Sequence, residues 1–134
     1  MKFLTIVFLY LSALGTPLFG QSGRENLTWS ASKIVDEKNN RLIDNSYVFN
    51  TSVTRVTMIQ KNNYTLSFDV TGVDGSWTDV ATPGKIAFAI SDGDDTGTLT
   101  IQRSTKEITI VLDFSQGASG RLVRKFIINS VQRS

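Results

Sequence analysis

The residues able to do chemistry are few, and their spacing points away from catalysis. The densest charge cluster is Asp92, Asp94 and Asp95, within the segment DGDDTG. Carboxylates set this close suit a hard cation such as calcium, which takes about six to eight oxygen ligands. The segment lacks the D-x-D-x-D-G…E arrangement of a calcium loop, and Asp and Gly are what tight turns favour. A turn is therefore the expectation, and no metal site is assigned. Paired-carboxylate catalysis needs two acids facing each other across a cleft. Asp69 and Asp113 instead fall at outward positions of expected strands, and Glu25, Glu37 and Glu107 lie at strand ends, in a tail or in a turn. All of these read as solvated surface. The chain has no cysteine and no histidine. That removes thiol nucleophiles, imidazole bases, disulfides and every metal site built on those ligands. A serine nucleophile would need a lysine as its base, and Ser104-Thr105-Lys106 reads as a turn. No nucleophile elbow or phosphate-cradling glycine loop occurs. The chain is thus expected not to be an enzyme, with no catalytic residue and no cofactor.

What must be positioned is then a binding surface, and the elements that would build one follow from the hydrophobic pattern. The 134 residues suit a single domain, and 40% hydrophobic with 19% charged residues is the balance of a globular chain. Residues 1–20 stand apart: Lys2 precedes an uncharged apolar run, FLTIVFLYLSAL, which Gly15, Thr16 and Pro17 break. This is the outline of a secretory signal peptide. Pro17 stops the run short of the roughly 20 apolar residues a spanning helix needs, so no stable membrane insertion is expected after cleavage. Removal of residues 1–20 leaves 13 basic against 12 acidic residues. A net charge of +1 gives no reason to expect nucleic acid as a partner. The expected location is secreted or periplasmic, with stability resting on packing rather than disulfide staples.

Residues 21–26 read as a disordered lead-in and 27–134 as one β domain. Thr, Val, Ile and Phe recur in short alternating runs separated by Gly, Asp, Asn and Ser, the pattern of an all-β chain. Strands are expected over 27–36, 41–44, 53–60, 64–71, 85–91, 98–103, 107–114 and 121–131, with a ninth, short one over 77–80. Within them Tyr64, Leu66, Phe68 and Val70 share one face. So do Ile108, Ile110, Leu112 and Phe114, and so do Leu122, Arg124, Phe126 and Ile128. An antiparallel meander of eight or nine strands must close into a barrel or fold over as a sandwich, because edges and an apolar face need cover.

The inward set includes Leu66, Phe68, Phe88, Ile90, Ile110 and Phe126. These six are the candidate ligand-binding residues, since an eight-stranded barrel is just wide enough for one small apolar ligand. The other reading is that they simply fill the core. Trp77, beside Gly75-Ser76, either caps the end of the barrel or stands exposed to stack on a sugar or a partner. Asn26, Asn50 and Asn63 each begin an N-x-S/T sequence, with Asn63, in a turn, the best-placed acceptor in a glycosylating host.

An exported meander with Trp29 early in its first strand and basic residues on its last resembles the lipocalin-like (calycin) barrels. It is most similar to small secreted members of uncharacterised role in bacteria, which lend no activity. The resemblance implies that Trp29 packs under an arginine from near the chain end, Arg121 or Arg124, in a cation–π pair of about 0.5–2 kcal/mol. Leu27 stands where the family has a glycine two residues before the tryptophan. The expected function is non-enzymatic binding of a small apolar or amphipathic ligand. The alternative is a β-sandwich module of the cell envelope that takes a protein or glycan partner through loops near Trp77, Asp92 and Gly117.

Overall fold

A computed structural model describes residues 25–36, 39–61, 64–75, 77 and 79–133. Residues 1–20, read above as a signal peptide, most of the expected lead-in, Glu37 and Asn63 lie outside the described residues. Eight strands follow in order: β1 (Leu27–Asp36), β2 (Arg41–Thr51), β3 (Arg55–Gln60), β4 (Thr65–Asp74), β5 (Gly84–Asp92), β6 (Asp95–Arg103), β7 (Ile108–Ser115) and β8 (Arg121–Arg133). A single 3-10 turn, Gly117–Ser119, sits between β7 and β8. Each strand pairs antiparallel with the next, and β8 pairs with β1, so the sheet is a closed barrel. The seam runs from Leu27 opposite Arg133 to Val35 opposite Lys125. That continuous ladder overturns the sandwich alternative: closure already removes the edges that a second sheet would have had to cover.

Alternation decides which side chains go inside. In β7, Ile108, Ile110, Leu112 and Phe114 are buried, and the intervening residues are half-buried on the outer face. Ile86, Phe88 and Ile90 of β5 and Leu99 and Ile101 of β6 continue the same interior wall. Three irregularities break the two-residue rhythm. Against β8 the register of β1 skips Ser32, and against β2 Ser32 faces the two residues Asn45 and Ser46, so Ile34 rather than Lys33 packs on the core. The β8 register skips Asn129, which turns Val131 inward. In β4 the register against β5 skips Thr71, whose hydroxyl donates to the carbonyl of Ala89 at 3.2 Å. An extra unpaired residue of this kind bends a strand and increases its twist, which a closing sheet requires.

The structure corrects several expected elements. β2 runs on from Asp44 to Thr51, with Tyr47, Phe49 and Thr51 buried. Tyr64 precedes β4 and is 58% exposed rather than inward. Residues 77–80 form no strand where they are described, and belong to the β4–β5 connection. The acidic segment is a two-residue hairpin turn, Gly93-Asp94, flanked by the paired Asp92 and Asp95. Gly93 takes φ of +64° at the first central position, the requirement glycine meets in such turns.

The meander puts the β1–β2, β3–β4, β5–β6 and β7–β8 turns at one end, here the rim. The remaining connections and both ends of the described chain lie at the other, the base.

Candidate functional site

The base is shut by two tryptophans. Trp77 is carried inward by the β4–β5 connection, and its ring meets that of Trp29 with centroids 5.9 Å apart. Each indole N–H is satisfied at 2.9 Å: Trp29 donates to the hydroxyl of Thr51, and Trp77 to the carbonyl of Thr82. Thr51 is itself 2% exposed, so this bond keeps two buried polar groups from being stranded. Arg103 reaches back to the carbonyl of Val80 at 3.0 Å and ties the connection to β6. Trp77 therefore caps the barrel.

The implied tryptophan–arginine pair is not formed. Trp29 sits opposite Val131 of β8, whereas Arg124 is opposite Leu112 and Arg121 opposite Ser115. Seven or ten residues of strand, at about 3.3 Å each, put both arginines toward the rim, roughly 23–33 Å along β8 from the level of Trp29. The partner of Trp29 is Trp77.

Of the six candidate ligand-binding residues, Phe68, Phe88, Ile90, Ile110 and Phe126 all belong to the buried core, and Leu66 is partly buried against it. Phe126 receives Tyr47 and Phe49 in edge-on contacts, each with centroids 4.9 Å apart, and Phe68 lies 5.0 Å from Phe114. Ring-on-ring packing of this kind fills the interior, and Phe114, opposite Leu122, carries it to the rim end of β7. Toward the rim the inner wall changes character. Ile34, Leu66 and Leu122 are only partly buried, and Ile43, opposite Ile34, is 40% exposed. Tyr47 brings its hydroxyl within 3.2 Å of the amide of Asn45, which donates to it. Arg124 follows Leu122 on the same strand face. Its cross-strand neighbour Leu112 is buried, so Arg124 projects from the inner wall.

The outer surface carries the remaining charge. Arg121 grips Asp113 through two nitrogens, Nε to Oδ1 at 2.6 Å and Nη2 to Oδ2. Hydrogen bonding to Arg121 holds the Asp113 carboxyl below the usual carboxylate range, burial opposes this, and the same bond raises the guanidinium. Lys33 holds Asp44 at 2.7 Å, and that hydrogen bond, reinforced by the charge of Lys33, lowers the Asp44 carboxyl. Arg55 faces Asp69 at 3.5 Å, Arg41 faces Asp36 at 3.7 Å and Arg133 faces Glu25 at 3.1 Å. The Ser104 hydroxyl is absorbed by its own turn, accepting from the N–H groups of Lys106 and Glu107 and donating to the Glu107 carbonyl. Among the described residues no three His, Cys, Asp or Glu side chains converge as a metal set.

Sequence reasoning missed a groove of about 360 Å³ on the outer face near the base, lined by Asn26, Asn50, Thr51, Ser52, Arg55 and Thr57. Asn50 accepts there from the Thr28 hydroxyl at 2.8 Å. Asn26, just before β1, and Asn50 of β2, each the first residue of an N-x-S/T sequence, line this groove together because Thr28 and Asn50 are cross-strand partners. Only that register, invisible in the sequence, brings them together.

The fold and these sites define an eight-stranded antiparallel meander barrel with a plugged base. No family model, no curated protein and no solved structure matches the chain.

Proposed function

We propose that the protein is an exported, non-enzymatic lipocalin-like barrel that takes a small amphipathic ligand at its rim. The observation that carries this reading is the contrast between the two ends of one interior. The base is sealed by the Trp29–Trp77 pair. On the rim side Ile34, Leu66 and Leu122 remain partly uncovered, beside the exposed Ile43. An alkyl group laid on these side chains would be favoured by about 25 cal/mol per Å² of apolar surface removed from water, before ordering costs. Phe68, Phe88, Ile90, Ile110 and Phe126 form the floor beneath the ligand. Export rests on residues 1–20, whose pattern is that of a signal peptide.

Dodecanol tests this reading. A ligand that binds only the folded state raises the melting temperature in proportion to RT ln(1 + [L]/Kd). Dodecanol is expected to stabilise the wild type, and Leu66→Gln or Leu122→Gln to remove most of that shift. An equal shift in both variants, or none in the wild type, would overturn it.

A second reading is favoured by the outer groove alone. Its asparagine, serine, threonine and arginine lining offers donors and acceptors suited to a glycan, independently of the rim. Loss of binding to a glycan panel on Asn50→Ala would support it.

A further inference from the structure

Arg124 is a charge in an apolar row. Leu122, Phe126 and Ile128 share its strand face and pack on the core, and Leu112, directly opposite, is 1% exposed. A sequence that places a guanidinium where the alternation calls for an oily side chain breaks the local rule, and such breaks mark strained or functional positions. The base tryptophan does not explain it, because Trp29 lies opposite Val131.

Nor does an ion pair. Arg41, Arg55, Arg121 and Arg133 each face a carboxylate, and Arg103 holds the Val80 carbonyl. Among the described residues no carboxylate lies within ion-pair distance of Arg124. Its one described bond is from Nη1 to the carbonyl of its chain neighbour Val123, at 3.0 Å. Asp36 stands on the adjacent strand at the rim and is engaged with Arg41. Arg124, an exposed residue, therefore keeps guanidinium donors to spare two positions along the strand from the partly covered Leu122.

We infer that Arg124 is the head-group residue of the rim site, and that the ligand is an anionic amphiphile: a single alkyl chain ending in a carboxylate or phosphate. The chain lies on the Ile34, Leu66 and Leu122 wall, and the anionic oxygens accept from the guanidinium fork, the geometry best matched to such groups. This rests on the proposed rim site and adds the sign of the ligand's charge.

The test titrates the purified protein with dodecanoate, dodecyl phosphate and dodecanol. Four forms are compared: wild type, Arg124→Gln, Arg124→Met and Lys125→Gln. Arg124→Met keeps an apolar stem, so it preserves packing if the glutamine disturbs it. Lys125→Gln removes the same charge one residue away, on the opposite face. Both Arg124 variants are expected to weaken the two anions by about 10- to 100-fold, as loss of a charge-assisted hydrogen bond at the edge of solvent implies. Dodecanol affinity should stay within about twofold, and Lys125→Gln should bind all three as the wild type does. Anion binding unchanged in the Arg124 variants, or weakened equally by Lys125→Gln, would overturn the inference while leaving the rim site standing. Failure of all three probes to bind the wild type would overturn both.

Discussion

Gly84 lies directly beneath the indole of Trp77, and a methyl group on its α-carbon would overlap the ring. The first residue of β5 is thus glycine because the plug of the barrel rests on it. Gly84→Ala should push Trp77 off its seat and destabilise the fold by about 1–3 kcal/mol, the usual cost of overpacking. Trp77→Ala should cost more, about 3–5 kcal/mol, through the cavity it leaves. In the double variant the two effects should be clearly less than additive, because the clash has no ring to strike. Urea unfolding followed by circular dichroism measures all three; full additivity would mean that the two residues do not share a site.

The hydrogen bond from Trp29 to Thr51 makes a separate prediction. Thr51→Val keeps the shape but strands a buried indole N–H, and should cost about 1–3 kcal/mol. Thr51→Ser, which keeps the hydroxyl, should cost less. A larger loss in Thr51→Ser than in Thr51→Val would show that the methyl group, not the hydroxyl, matters at this position.

Acid should weaken the protein through two named surface pairs. Asp113 and Asp44 have folded-state carboxyls held below their ordinary value by Arg121 and Lys33. Groups lowered in the folded state bind fewer protons there than in the unfolded chain. Their contribution is therefore complete above the ordinary carboxylate value and is lost as pH falls through the lowered one. Melting temperature should fall from about pH 5 toward pH 2. Asp113→Asn combined with Asp44→Asn should flatten that slope. Because both pairs lie on the surface, 1 M salt should flatten it too.

The hairpin turn at Gly93 gives a fourth test. With φ of +64° there, Gly93→Val should destabilise by about 1–2 kcal/mol, whereas Asp94→Ala should change little. Chemical denaturation of the two variants separates backbone geometry from the loss of a carboxylate.

Much of this barrel was readable from side-chain rhythm alone. The first strand spans Leu27–Asp36 as expected, and Ile108, Ile110, Leu112 and Phe114 turn inward together. The rhythm failed where polar residues interrupt it. Asn45, Ser46 and Asn50 resemble turn residues, so the stretch holding Tyr47 and Phe49 was not expected to be strand, although both rings are buried. Bulges at Ser32, Thr71 and Asn129 leave no compositional mark, because any small polar residue can be skipped by a register. Arg124 was legible as a residue on the inner face, but not what it faces. That depends on how far along β8 the pairing with β1 slides, a quantity set by the whole closed circuit rather than by any local segment. The choice between barrel and sandwich was likewise beyond periodicity, since both satisfy the same alternation.

The seam between Leu27 and Arg133 joins the two extremes of the described chain. A chain whose β8 is not yet in place leaves one edge of β1 and one edge of β7 unpaired, two raw margins able to recruit other chains. Closure of the barrel thus waits on β8, depends on the most distant contact in the sheet, and is slow by the standards of local folds. The same adjacency means that Leu27 and Arg133 could be joined by a short linker and the chain opened instead between β3 and β4, with every ladder of the wall preserved.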